Sequence, residues 1–94
     1  MALVHTNSTV ATTITQIIQV PTGMQRGVAV QIQNLDAAAI FVGDTTVTVS
    51  GATRGHSIAA NATFQLWLNP GDKVYAISAA GTTAGAVVVT YSGI

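Results

Sequence analysis

The sequence predicts an all-β fold, a small antiparallel β-sandwich or jelly-roll-like barrel of about seven to eight short strands. Three observations carry that expectation. Apolar residues recur with the period of two that a half-buried strand requires, no segment sustains a helical period, and Gly, Pro, Asn and Asp punctuate the chain at short intervals. At 94 residues the chain, residues 1–94, reads as a single domain, because two separate cores would each be too small to fold unaided.

Met1 to Thr9 mixes His5, Asn7, Ser8 and threonines, with no basic stretch leading into an apolar one, so no signal peptide is expected. Val10, Thr12, Ile14, Gln16, Ile18 and Val20 then share one face of an extended segment that Pro21-Thr22-Gly23 ends. Residues 1–20 hold no glycine, proline or formally charged side chain. They read either as the first strand or as an N-terminal arm that adds to a neighbour's sheet, with Ile14 and Ile18 as its contact side chains.

Val28, Val30 and Ile32 alternate with Ala29, Gln31 and Gln33 before the turn residues Asn34-Leu35-Asp36. Ala38 to Val42 is a short apolar strand closed by Gly43-Asp44, and Thr46 to Val49 alternates again. Ser50 to Asn61, rich in Gly, Ser, Ala and Asn around Arg54 and His56, reads as a long loop. Phe64, Leu66 and Leu68 then face one way with Gln65 and Trp67 opposite. Asn69-Pro70-Gly71-Asp72 is a strong turn, since proline presets φ and glycine accepts φ > 0. Val74 to Ile77 and Val87 to Tyr91 complete the set, joined by Ala80 to Gly85. The expected core is Val28, Val30, Ile32, Ile40, Val47, Phe64, Leu66, Leu68, Val74, Ile77, Val87 and Val89, enough aliphatic bulk for a layer about 10 Å thick.

The composition bears on function. Charged residues make up 6% of the chain, where a soluble domain usually carries about a quarter. There is no glutamate, and Arg26, Arg54 and Lys73 balance Asp36, Asp44 and Asp72. Such a surface gives no electrostatic grip on nucleic acid. No apolar run approaches the roughly 20 residues of a spanning helix, so no membrane partner is expected. Neutral Thr, Gln and Ala stand where a monomer would place Lys and Glu to discourage edge pairing, which points to a surface covered by assembly.

Catalytic chemistry finds no constellation. His5 and His56 lack partners at metal-ligand spacing, the absence of cysteine removes thiolate sites, and a metal site needs three or four convergent ligands. Ser57 beside His56 would point to the opposite face of an extended chain. The three aspartates sit in turns, where their carboxylates cap local backbone. No catalytic, cofactor-binding or metal-binding residue is expected. The contact candidates are Trp67, Tyr75, Tyr91, Arg54, Ile14 and Ile18. Trp and Tyr are enriched at contact hot spots, and a rare arginine on a neutral surface suits a carboxylate on another chain.

The stretch Val28 to Asp44, continued by Thr46-Val47-Thr48-Val49, Gly55-His56-Ser57-Ile58-Ala59-Ala60 and Leu68 to Ile77, resembles the small β-sandwich proteins encoded among structural genes of tailed bacteriophages. In those proteins an IQN strand, an IFVGD strand, an IAAN segment and a PGD-x-[VL]-YAI hairpin recur in this order. The likeness covers about residues 27 to 91 and leaves the first twenty outside. It implies a structural virion protein without an active site. The favoured expectation is a capsid decoration, or cement, protein on the head exterior, assembled in the host cytoplasm. It would act as a homo-oligomer, a trimer favoured, bridging subunits of the major capsid protein. The alternative is a virion or tail-associated module that binds a host-surface glycan through Trp67, Tyr75 and loop 50–61.

Overall fold

The computed structural model describes residues 3–23, 27–82 and 85–92; Arg26 lies outside them. Its strands are β1 (Leu3–Ser8), β2 (Thr15–Gln19), β3 (Val28–Asn34), β4 (Ile40–Gly43), β5 (His56–Ile58), β6 (Thr63–Leu68), β7 (Lys73–Ile77) and β8 (Val87–Ser92). They form two four-stranded antiparallel sheets, ordered β1-β8-β3-β6 and β2-β7-β4-β5. The pairs β1·β8, β2·β7, β3·β6 and β4·β5 are those of one long hairpin ribbon folded across itself, the winding of a jelly roll. The expected β-sandwich is therefore what forms, as two sheets with four free edges.

Alternation decides the inner faces. In β3, Val28, Val30 and Ile32 are buried while Ala29 and Gln31 are exposed. β8 sets Val87 and Val89 beside Asn34 and Ile32. Across the gap, Ile40 and Val42 of β4 meet Ile58 and His56 of β5 in register. Ile32, Ile40, Ile58, Val10, Val20, Val30, Val87 and Val89 are almost fully buried, each contributing roughly 1.5–3 kcal/mol of transfer free energy.

The first twenty residues, read as one strand or an arm with alternation from Val10 to Val20, contain two strands, β1 and β2. Leu3–Ser8 is itself a strand, paired residue for residue with β8 of the same chain. Val10 is buried in the crossing between sheets, where it exchanges hydrogen bonds with Thr82 through Val10 N to Thr82 Oγ1 at 2.9 Å and Thr82 N to Val10 O at 2.8 Å. In β2 the register shifts between Gln16 and Ile18. This bulge turns the consecutive residues Ile17 and Ile18 both inward, which strict alternation forbids and an inserted residue permits. Ile18 is therefore core, not a contact side chain, and Ile14 alone of that pair is exposed.

Two further expectations change. Thr46 to Val49 is a turn rather than a strand, because Asp44 caps it through the amide and hydroxyl of Thr46. Only Thr48 bridges Arg54, while Val47 is buried beneath the loop. The expected loop 50–61 contains β5. Gly55 permits that close return: a Cβ there would lie 2.4 Å from both the Val42 carbonyl oxygen and a Val47 methyl. In β7, Val74 and Ala76 take the inner face, so Ile77 is half-buried on the outer one.

Asn34 joins the two sheets. It is fully buried at the end of β3, and its Nδ2 donates to the carbonyls of Ala38 at 2.8 Å and Ile58 at 3.0 Å. Its Oδ1 accepts from the Asp36 amide at 3.0 Å. Its backbone donates to Ala62 and accepts from Asn61, whose φ of 61° is a conformation that asparagine tolerates better than most residues. Removing the amide strands the buried Ile58 carbonyl, at a cost of about 1–3 kcal/mol, and also loses the part-buried bond to Ala38. Asn34→Ala should lower stability by about 2–3 kcal/mol, a fall in Tm of roughly 10–20 °C, and Asn34→Asp by more, since a carboxylate would face carbonyl oxygens. Urea unfolding checks both. A loss below about 0.5 kcal/mol would mean water replaces the tie.

Candidate functional site

The short β5–β6 connection, residues 59–62, carries the chain from the edge of one sheet to the edge of the other. Both edges therefore lie on the same side of the sandwich, and the gap between them is its mouth. His56 sits opposite Val42 on the inner face of β5 and stacks on Phe64 of β6, ring centroids 4.1 Å apart and planes 25° from parallel. This ring pair is a contact from sheet to sheet. Beside it runs a cleft of about 310 Å³ lined by Val42, Phe64, Leu66, Leu68 and Val74, with Asp44, His56 and Lys73 at its rim. Phe64 and Leu66 are only half-buried there, packed against the core from outside it.

The outer face of β6 carries Trp67, 61% exposed. Its position follows from Gly27: a Cβ on that buried glycine would stand 2.2 Å from the Leu68 carbonyl oxygen and 2.7 Å from the Trp67 indole nitrogen. The indole thus lies against bare backbone, and most of the ring faces outward. Sequence alternation placed Trp67 opposite Leu66 and Leu68, and the structure does the same.

The other contact candidates do not gather around it. Tyr91 faces inward against the core, beside Val30 of β3. Tyr75 is half-buried on the outer face of β7, between Gln16 and Gly43, so it and Trp67 lie on opposite outer faces of the molecule. Trp67, Tyr75 and Tyr91 therefore form no common aromatic platform. Arg54 is exposed in the β4–β5 loop and lines a second hollow of about 420 Å³ with Asp44, Thr46, Thr53 and His56. Ile14 is 40% exposed ahead of β2. What the sequence missed is the mouth itself: nothing local announces that β5 exists or that His56 meets Phe64.

Among the described residues no three His, Cys, Asp or Glu side chains come together as a metal site would need. Ser57 and His56 occupy opposite faces of β5, paired with Phe41 and Val42. All three aspartates accept from local backbone amides, Asp36 from Ala38, Asp44 from Thr46 and Asp72 from Asn69. No helix of the described residues is long and apolar enough to cross a membrane.

Comparison with known proteins gave no matching family model, no matching curated protein and no matching solved structure. The function has to be read from the molecule's own surface.

At the rim, the hydroxyl of Thr46 donates to Asp44 Oδ1 at 2.7 Å and its amide at 2.9 Å. These bonds, the hydroxyl first, hold the carboxyl below its ordinary value of 3.8, because they favour the charged form. With a folded value below the unfolded one, the stabilisation is present above pH 3.8 and is lost as pH falls through the lowered value. The group is solvent-exposed, so its effect on stability is slight. Thr46→Val should move the Asp44 titration midpoint up toward 3.8 in an NMR pH series. A midpoint that stays put would show that the hydroxyl bond does not form in solution.

Proposed function

We propose that the chain is a structural assembly protein that self-associates and decorates the outside of a bacteriophage head, bridging subunits of the major capsid protein. The observation that carries this reading is the β6 edge: an uncharged strand, Thr63–Leu68, with Trp67 exposed on one face and Phe64 and Leu66 half-exposed on the other. A lone soluble domain protects such an edge with lysine, proline or a covering element. The near absence of charge elsewhere and the resemblance of about residues 27 to 91 to phage structural sandwiches support the same reading. A decoration protein of this kind acts through mass action, since whatever binds the assembled shell and not its parts stabilises the shell.

The glycan-binding alternative has less support, because Trp67 and Tyr75 lie on opposite faces and cannot grip one sugar together.

Sedimentation equilibrium at micromolar concentration should give a homo-oligomer, and the protein should bind empty phage heads in preference to host-envelope glycans. A clean monomer that binds the glycans would overturn the reading. Trp67→Ala should raise the dissociation constant of self-association or shell attachment roughly 30-fold or more, the cost of truncating a central anchor. Its Tm should move little, since the ring is largely exposed. An unchanged dissociation constant with a collapsed Tm would make Trp67 a packing residue of the fold.

A further inference from the structure

The sandwich has four edges among the described residues, and they are not alike. β2 carries a bulge, which twists an edge away from pairing. β5 is three residues long. β1 is long, regular and uncharged, but its exposed side chains His5, Thr6 and Asn7 are polar. β6 likewise pairs with β3 without interruption from Leu68 to Thr63 and contains no charge, proline or glycine, but it differs in presenting large apolar side chains, Trp67 exposed and Phe64 and Leu66 half-exposed. Its other side carries a row of backbone donors and acceptors on which another strand can be added.

We infer that this strand pairs antiparallel with the same strand of a second copy about a two-fold axis at Gln65, forming an eight-stranded sheet across the dimer. The inference rests on reading the chain as self-assembling, and it names the contact. Three features favour a second copy as the occupant. The first is self-complementarity: opposed residues of an antiparallel pair share a face, so a dyad at Gln65 sets Phe64 against the second copy's Leu66, and Thr63 against its Trp67. Each pair joins apolar or β-branched side chains, and Gln65 meets its own copy with a side chain that both donates and accepts. Moving the dyad one residue to Leu66 would instead set Gln65 against Trp67.

The second feature is charge. The mouth beside β6 carries one carboxylate, Asp44, and one ammonium, Lys73, at its rim, so two copies facing each other bring both signs and no net repulsion. The third is area. Six-residue strands docked edge to edge, with Trp67, Phe64 and Leu66 of both copies covered, bury on the order of 1,000 Å² in total, the size at which a specific interface holds. The pairing also covers the half-exposed Phe64 and Leu66, which a contact through the outer face alone would leave in water. A two-fold contact is isologous and closes on a dimer, in place of the trimer that the sequence favours.

The test uses the whole chain, which has no cysteine of its own. Gln65→Cys should form a disulfide-linked dimer under mild oxidation, since directly opposed residues have Cα atoms about 4.5–5.5 Å apart, within disulfide reach. Gln31→Cys, on the adjacent strand, should not, because its copies would stand roughly 14 Å apart across three strand spacings. Gln65→Lys should weaken dimerisation roughly tenfold or more by setting like charges face to face. An equimolar mixture with Gln65→Glu should restore it, a rescue specific to a residue that meets itself. Circular dichroism should show both charge variants folded, as Gln65 is exposed. If the wild-type chain self-associates but Gln65→Lys leaves the association unchanged and Gln65→Cys does not cross-link, the contact lies elsewhere and this inference fails while the assembly reading stands. If the wild-type chain sediments as a monomer, the inference fails together with the self-association half of that reading, and attachment to empty heads then decides the other half.

Discussion

The buried amide of Asn34 is the constraint on which the rest of the arrangement depends. Two sheets packed through aliphatic side chains can slide, because dispersion and the hydrophobic effect are nearly indifferent to direction. Hydrogen bonds to buried carbonyls are directional and costly to leave unmade. Asn34 reaches from the end of β3 to the carbonyls of Ala38, just before β4, and of Ile58 in β5. Its backbone holds the turn at Asn61 and Ala62 that launches β6. One residue thus ties the end of β5, through its side chain, to the start of β6, through its backbone, beside the mouth in which His56 stacks on Phe64.

The surface around that mouth follows from how the chain treats its edges. Among the described residues β2 is blunted by a bulge and β5 by brevity, while β1 and β6 are both long, regular and uncharged; β1 exposes polar His5, Thr6 and Asn7, and β6 presents Trp67, Phe64 and Leu66. Edge protection costs a sequence little, since one lysine on the exposed face suffices. Its absence at β6 is therefore informative in a way that a scattered exposed leucine would not be. Gly27 adds to this by letting the Trp67 indole rest on backbone, so that a large aromatic surface is held in place and turned outward.

Several of the sequence motifs, the IQN strand, the IAAN segment and the PGD turn, contain residues that make the fold. Asn34 ends the IQN strand and Asn61 ends the IAAN segment, and they meet through the Asn61 amide and the Asn34 carbonyl. In the PGD turn, Gly71 has φ of 85° and the Asp72 carboxylate caps the Asn69 amide at 2.8 Å. The same turn is stitched to Val20 by two backbone bonds. Motifs of this sort report architecture. Gln65 and Trp67, which the reading of function needs, lie outside them.

The sequence by itself determined the all-β class, the positions of β3, β4, β6, β7 and β8, and the inward face of most of these strands, because alternation and turn chemistry act over a few residues. It also determined that Trp67 points away from the core, by simple parity along β6. Only the tertiary structure decided that Ile17 and Ile18 are both buried, that β5 exists within a glycine-rich segment and that Trp67, Tyr75 and Tyr91 face three different ways. A bulge, a three-residue strand and the relation between two sheets are settled by partners distant in sequence: β7 for β2, β4 for β5, and β3 for the edge that β6 leaves open. Local pattern fixes which face of a strand is apolar, but which strand is left without a neighbour is a property of the winding.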